Sequence, residues 1–277
     1  MARVIALANQ KGGVAKTAST LTLGAALAER GQEVLVIDMD PQGALTFSLG
    51  VDPDQLDETI NDVLVRRLSI EKVILSREVD LVPANIDLAG AEAVLLAKTG
   101  REYALQRALR DVIERYDFIL IDCPPSLGIL TINALTAAQE VLIPLQCEAL
   151  SHRGVGQLLD TLSDIRHFTN PQLTVLGVIP TMFDGRSRHA KHVLDDVGTR
   201  YEIEVFEPPV RKSIKFAEAT QAGCSILTYA STHAGADAYR AYAARLLGIE
   251  PAITLDHAEP EPATEPDARP LETEVTS

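Results

Sequence analysis

The sequence predicts an α/β chain: a doubly wound, mainly parallel sheet with helices on both faces. Three observations carry this. Short β-branched runs alternate with longer helical patterns along the first 250 of the 277 residues. Most of the strand-like runs are continuously apolar, as parallel strands covered on both faces must be. Hydrophobic residues make up 46% of the chain, enough for a large core.

The first strand is RVIALAN, residues 3–9, and the helical pattern KTASTLTLGAALAERG follows it, closed by Gly31. EVLVID (33–38), DLVPA (80–84), DFILID (117–122), EVLIPL (140–145) and LTVLGVIP (173–180) supply five further strands. REYALQRALRDVIERY (101–116) and RGVGQLLDTLSDIRHF (153–168) read as helices between strands, and GADAYRAYAARLLG (235–248) as the last helix. No internal repeat and no linker interrupts residues 1–250, which read as one domain. Residues 251–277 hold seven of the 39 acidic residues and one of the 25 basic ones, leaving −8 of the total −14 on the rest. Rich in Pro, Glu, Ala and Thr, this stretch reads as an acidic disordered tail.

Composition excludes several functions. Aromatic residues are 4% and Trp is absent, which argues against a stacking platform for single-stranded nucleic acid. Cys123, Cys147 and Cys224 form no C-x-x-C pair, so neither a zinc site nor a disulfide framework is expected, and a reducing cytoplasm fits. No apolar run is long enough to span a membrane, and MARVIALAN turns polar too soon for a signal peptide. Only Met1 and Ala2 precede the first strand, so a helix-turn-helix reader of operator DNA is not expected.

Ligands of doubly wound sheets sit at the carboxyl ends of the strands. The turn leaving the first strand there is QKGGVAK, residues 10–16. It departs from the phosphate-loop pattern G-x-x-x-x-G-K-[ST], with Gln10 and Ala15 at the glycine positions, but Lys16 and Thr17 fit. Gly12 and Gly13 let the backbone approach phosphates, and the following helix offers N–H groups and a positive dipole end. Lys16 can reach β- and γ-phosphates and the Thr17 hydroxyl can bind Mg²⁺. Ala15 adds one methyl group, tolerable if its φ is negative. A strand–helix turn with a surface lysine is the plain alternative. Against it, VLVIDMDPQG (34–43) ends one strand with Asp38 and Asp40, and FILIDCPPS (118–126) ends another with Asp122. Alone, Asp38 and Asp122 could be helix caps; beside such a loop, three carboxylates suit Mg²⁺ and an attacking water.

KGGVAKT resembles the deviant Walker A box of the ParA/MinD family of P-loop ATPases, K-G-G-V-G-K-T, with Ala15 as the departure. VLVIDMDPQG resembles that family's second box, FILIDCPPSLG its Walker B and switch II segment, and IPTMFDGRS (179–187) and SIKFAEATQAG (213–223) its later segments. The resemblance spans roughly residues 3–248 and implies ATP and Mg²⁺ as ligands. It implies nucleotide contacts from Lys11, Gly12, Gly13, Val14, Ala15, Lys16, Thr17 and Ala18, and adenine contacts near Met182, Arg211 and Ser213. Lys11 would reach the partner's nucleotide in an ATP-bound homodimer, and Lys16 would hold phosphate within its own subunit. Asp40 would orient the attacking water; Thr17, Asp38 and Asp122 would serve the metal.

The family's partitioning branch binds DNA without sequence preference and is released when a ParB-like or cargo-adaptor partner stimulates hydrolysis. Residues 186–215 carry seven basic residues against five acidic ones, in a chain of −14. Arg186, Arg188, Lys212 and Lys215 are the expected DNA contacts, the last two standing where the family often has arginines. A solvated helix face is the ordinary reading of such a run. The partitioning reading places the protein in the cytoplasm on the nucleoid. Two alternatives stand beside it: a nucleotide-binding scaffold with little hydrolysis, which Ala15 favours, and a MinD-like division-site regulator, which the acidic tail disfavours at anionic lipid. HAKH (189–192), with Asp196 beyond it, reads as exposed surface rather than a metal site. GVGQLL (154–159) only mimics a dinucleotide fingerprint, since Leu159 stands at the third glycine position.

Overall fold

The computed structural model describes residues 1–147 and 151–249; the expected acidic tail lies outside the described residues. Six strands form one all-parallel sheet: β1 (Arg3–Leu7), β2 (Val34–Asp38), β3 (Asp80–Val82), β4 (Phe118–Asp122), β5 (Glu140–Gln146) and β6 (Thr174–Thr181), in the order β3-β2-β4-β1-β5-β6. All six expected strands are present, and the fold is the doubly wound sheet that the apolar runs predict.

Side-chain alternation divides the core between the two faces. Val4, Ala6, Leu35, Ile37, Ile119 and Ile121 enter one cluster, while Ile5, Leu7, Val34, Val36, Phe118 and Leu120 enter the other. Neighbouring residues of a strand face opposite ways, so each strand must be apolar on both sides. The helices are α1 (Lys16–Ala28), α2 (Ala44–Ser48), α3 (Ile60–Arg66), α4 (Leu88–Leu96), α5 (Ala104–Leu109), α6 (Ile129–Ala137), α7 (Ser151–Phe168), α8 (Arg188–Tyr201), α9 (Lys215–Ala222), α10 (Ile226–Tyr229) and α11 (Ala234–Leu246). Residues of α3 to α8 pack into the first cluster, and residues of α1, α2 and α9 to α11 into the second.

α1 runs against the sheet with α11 outside it, and the Ser19 and Tyr239 hydroxyls meet at 2.7 Å between them. A Cβ at Gly24 would lie 3.0 Å from the Val36 Cγ1, so the glycine sets how closely α1 can lie on β2. Gly31, with φ 79°, turns the chain after α1 as the sequence predicts.

One helix is shorter than its pattern. The stretch 101–116 yields a 3₁₀ turn at Arg101–Tyr103 and then α5, which stops at Leu109. The Ala2 N–H takes the Ile113 carbonyl at 3.0 Å, and Val112 and Tyr116 are buried in the core. Beyond Leu109 the chain goes on in turns, with the Val112 and Ile113 N–H groups both reaching the Leu109 carbonyl, at 3.1 and 2.9 Å, so the apolar pattern continues without a regular helix. Among the described residues no helix is long and apolar enough to cross a membrane.

Candidate active site

Strand register builds the site. Leu7 of β1, Asp122 of β4 and Asp38 of β2 stand side by side as the last residues of three adjacent parallel strands. The segment 10–15 leaves β1 at this edge and enters α1. Asn9 anchors its start: the Nδ2 donates to the Pro144 carbonyl at 2.8 Å, and the Oδ1 accepts the Lys11 N–H at 3.0 Å. Thr181, at the end of β6, donates its hydroxyl to the Val14 carbonyl at 2.9 Å. The loop is thereby fastened to β5 and β6 at two points.

Lys16 is 7% exposed and its Nζ donates back to the Lys11 carbonyl at 3.1 Å. Burial lowers its pKa, against the pull of Asp122. Lys11 itself is exposed on the loop. Gly13 has φ 72°, in the region glycine favours. Ala15 overturns an expectation: its φ is +64°, not negative. It sits at the N-cap of α1 in a left-handed conformation that costs a residue with a Cβ about 1 kcal/mol. The fastened loop imposes that conformation, so this chain carries strain where the family box has glycine.

The three carboxylates differ sharply. Asp38 is fully buried, and both its oxygens are engaged. Oδ1 accepts the Asp40 N–H at 3.1 Å; Oδ2 accepts the Thr46 N–H at 2.9 Å and the Thr46 hydroxyl at 2.8 Å. Burial raises its pKa to about 6. This geometry makes Asp38 the anchor of the segment bearing Asp40 and α2. Asp122 is also fully buried, and its Oδ1 lies 3.4 Å from the Thr20 hydroxyl. Its Oδ2 is buried without a hydrogen-bond partner. Burial and the neighbouring Asp38 raise the pKa of Asp122 well above the carboxylate range, and a hydrogen bond with Thr17 opposes the shift. A buried oxygen without a donor is costly unless something fills the place. Asp122 and Thr17 thus fit a small hard cation that takes its remaining ligands from phosphate and water. Asp40 is partly exposed and its Oδ1 accepts the Gln42 N–H at 3.0 Å.

Two cavities meet at the start of α1. One, of ≈ 410 Å³, is lined by Gly12, Gly13, Lys16, Thr17 and Asp40, with Phe47 and Pro125 opposite. The other, of ≈ 200 Å³, is lined by Met182, Arg211, Lys212, Ser213, Phe216 and Tyr239. Ala15 and Ala18 belong to both. The compartment that carries Lys16, Thr17 and Asp40 thus opens beside a more apolar one of a size for a base, and Met182, Arg211 and Ser213 line the second. Val14 is buried and faces neither cavity; its carbonyl is held by Thr181.

The expected DNA contacts lie on two adjoining segments. The Phe183 N–H donates to the Val210 carbonyl at 2.9 Å, and Phe183 bridges Arg211. Arg186 and Arg188 flank Ser187, whose side chain caps α8, and both are exposed, as is Lys212. Lys215 differs: its Nζ lies 2.7 Å from the Glu218 carboxylate and over the Tyr229 ring, 5.7 Å from its centroid. Around His189 and His192, as elsewhere among the described residues, no group of three or more His, Cys, Asp or Glu is placed to hold a metal ion. Asn9, Thr20, Thr46 and Thr181 support the site but escaped the sequence reading. Asn9, Thr20 and Thr181 stood within quoted stretches, but nothing in their spacing singles them out.

The AAA domain family matches residues 2–175. The sporulation initiation inhibitor protein Soj of Bacillus subtilis is 40% identical over 242 residues, 86% of this chain and 96% of that one. The chromosome partitioning protein ParA of Myxococcus xanthus is 40% identical over 248 residues, 88% of each chain. Among solved structures, the cobyrinic acid a,c-diamide synthase of Mycobacterium smegmatis with ADP and magnesium is 50% identical, covers 89% of this chain and 94% of its own, and superposes with a TM-score of 0.80. The septum site-determining protein MinD of Pyrococcus horikoshii with Mg-ADP is 26% identical, covers 89% of this chain and 96% of its own, and has a TM-score of 0.71. Similarity of this extent places the phosphate loop and its carboxylates in a known lineage: the chain belongs to the ParA/MinD family of P-loop ATPases.

Proposed function

We propose that this protein is a partitioning ATPase. With ATP it closes as a homodimer that holds DNA of any sequence, and hydrolysis stimulated by a ParB-like or cargo-adaptor partner releases it. One observation carries the link between nucleotide and DNA. The segment 210–213 lines the base-sized cavity with Val210, Arg211 and Ser213, and the same segment bears the exposed Lys212. A base in that cavity would order the backbone that presents the cation. The relatives named Soj and ParA support the partitioning role.

In this reading Lys16 neutralises phosphate from below, and the N–H groups from Gly12 to Ala18 receive its oxygens. Thr17 and Asp122 would hold Mg²⁺, which when bound would offset charge on the phosphate oxygens. Asp40 orients the attacking water, with Asp38 and Thr46 fixing the segment it stands on. Lys11, on the exposed side of the loop, serves the partner's nucleotide. The protein works in the cytoplasm, on the nucleoid.

The M. smegmatis relative's name raises a second reading, an ATP-dependent amide synthase. Such a reaction needs a nitrogen donor, and release of ammonia from an amide commonly uses an activated thiolate. Burial raises the thiol pKa of Cys123, of Cys147 to about 11, and of Cys224, which disfavours the thiolate at all three. The test measures phosphate release and duplex binding by the full chain with ATP or ADP. Tight, salt-sensitive binding of random-sequence duplex with ATP alone is expected. Lys11→Ala should still bind nucleotide by calorimetry but no longer dimerise with ATP by light scattering. DNA affinity equal with ATP and ADP would sink the partitioning mechanism and favour a scaffold.

A further inference from the structure

Beyond the nucleotide site, a cavity of ≈ 470 Å³ opens among the ends of α3, α4 and α5 and shares no lining residue with the two cavities at the loop. Its floor is apolar, with Val63, Leu64, Leu95 and Ala104 buried. Its walls carry Arg67, Lys98, Arg101 and Arg107, against Asp111 as the acidic side chain of the lining. Four cations round one concavity are notable in a chain of net −14.

We propose that this cavity binds a small organic anion bearing two phosphates on a planar or apolar body. The cations are held ready for it. The Lys98 ammonium donates to the Val65 carbonyl, the Arg101 guanidinium to the Leu96 carbonyl at 2.8 Å, and the Arg107 guanidinium to the Gly100 carbonyl at 3.0 Å. Each bond fixes a long side chain at the cost of one donor, and a guanidinium has about five. Arg101 also pairs with Glu102 at 3.0 Å, which leaves Arg67, Lys98 and Arg107 as the cations for phosphate.

Capping of the ends of α3 and α4 accounts for the bonds to Val65 and Leu96. It does not account for Arg67. This residue ends α3 with φ 60°, a left-handed position that glycine or asparagine fills at lower cost. An arginine there adds strain and one more like charge to a crowded wall. Both costs make sense if the cation is needed. A cavity of this size suits a small ligand, and an apolar floor under a cationic wall selects a planar or apolar body with clustered negative charge. Arginine forks favour phosphate over a single carboxylate.

The proposal stands apart from the nucleotide reading, and its test keeps them apart. The full chain is saturated with Mg-ADP to fill the phosphate loop, and adenosine 3′,5′-bisphosphate is titrated in by calorimetry. One further binding event is expected. Arg67→Gly should weaken it by about tenfold or more while leaving ADP affinity unchanged and raising the melting temperature, because glycine suits the left-handed position. A merely structural role for Arg67 predicts the higher melting temperature without the loss of binding. Arg107→Gln should weaken the same event without the gain in stability. Absence of a second event, or a second event that both variants leave intact, overturns the proposal. So does Arg67-dependent binding of phosphatidylglycerol vesicles or random-sequence duplex without binding of the soluble bisphosphate, which would mark a membrane or DNA surface instead.

Discussion

The phosphate loop and the basic face beyond β6 both offer positive charge, but they are built in opposite ways. At the loop, Lys16 is buried and tied to the Lys11 carbonyl, and Asn9 and Thr181 fasten the backbone on either side. On the basic face, Arg186, Arg188 and Lys212 stand exposed. A buried cation acts at full strength on one ligand in one geometry, whereas exposed cations act together, weakly and with strong screening. The first arrangement suits chemistry on a particular phosphate, and the second suits any stretch of a phosphate polymer.

The sharpest way to break this comparison is Lys16→Ala. Nucleotide affinity should fall by about a hundredfold or more, because a desolvated charge-assisted contact is lost and Asp122 is left without its counter-charge. Calorimetry with Mg-ATP reads this directly, and a modest loss would mean the loop holds phosphate through backbone alone. Asp40→Ala should cut turnover by about a hundredfold or more while Mg-ATP still binds and the dimer persists. Normal phosphate release from that variant would move the water-orienting role elsewhere.

Thr46→Val probes how the pinned side is supported. The Thr46 hydroxyl serves Asp38 and also accepts the Ala84 N–H at 2.9 Å, so its removal leaves two buried groups short of partners. A loss of about 2 kcal/mol is expected. In thermal melts that is a fall of about 4–8 °C. The exposed side should respond more gently. Lys212→Glu or Arg188→Glu should each weaken duplex binding several-fold, equally across sequences, and reduce its salt dependence. Lys215→Glu should do less, since Glu218 already answers that charge; an equal effect would show that the pair opens on DNA. The smallest change is Ala15→Gly, which relieves the left-handed strain and should stabilise the chain by about 1 kcal/mol. The rise in melting temperature would be about 2–4 °C.

The sequence was informative where chemistry requires particular residues and reticent where packing decides. Every strand was legible, because burial on both faces writes a continuous apolar run. Lys16, Thr17, Asp40 and Asp122 could be singled out because an anion site at a strand end restricts residue types, and the fold gathers them at one edge of the sheet. The partners that hold them were not. Thr46 and Thr181 reach Asp38 and Val14 across the fold, and no local spacing announces such a contact. The left-handed Ala15 was hidden for the same reason: a fastened loop imposes its backbone, and intrinsic preference predicts the reverse. Asp38 and Asp122 look alike in sequence, but hydrogen bonds engage both oxygens of the first and leave the second with a buried oxygen that has no hydrogen-bond partner.

The short segment 210–213 lines the base cavity, and its Lys212 is exposed as well as part of that lining. Two traits therefore share one stretch of chain. Under the proposed partitioning role, a substitution there that changes which base is accepted should also shift the grip on DNA, so a screen for either property should recover changes in both. Tuning one alone requires changes at a distance, such as Arg186 and Arg188, where charge can vary without moving the wall of the cavity. In a lineage or a library, variation in DNA affinity should accumulate at those outlying positions, while the shared segment changes in concerted steps.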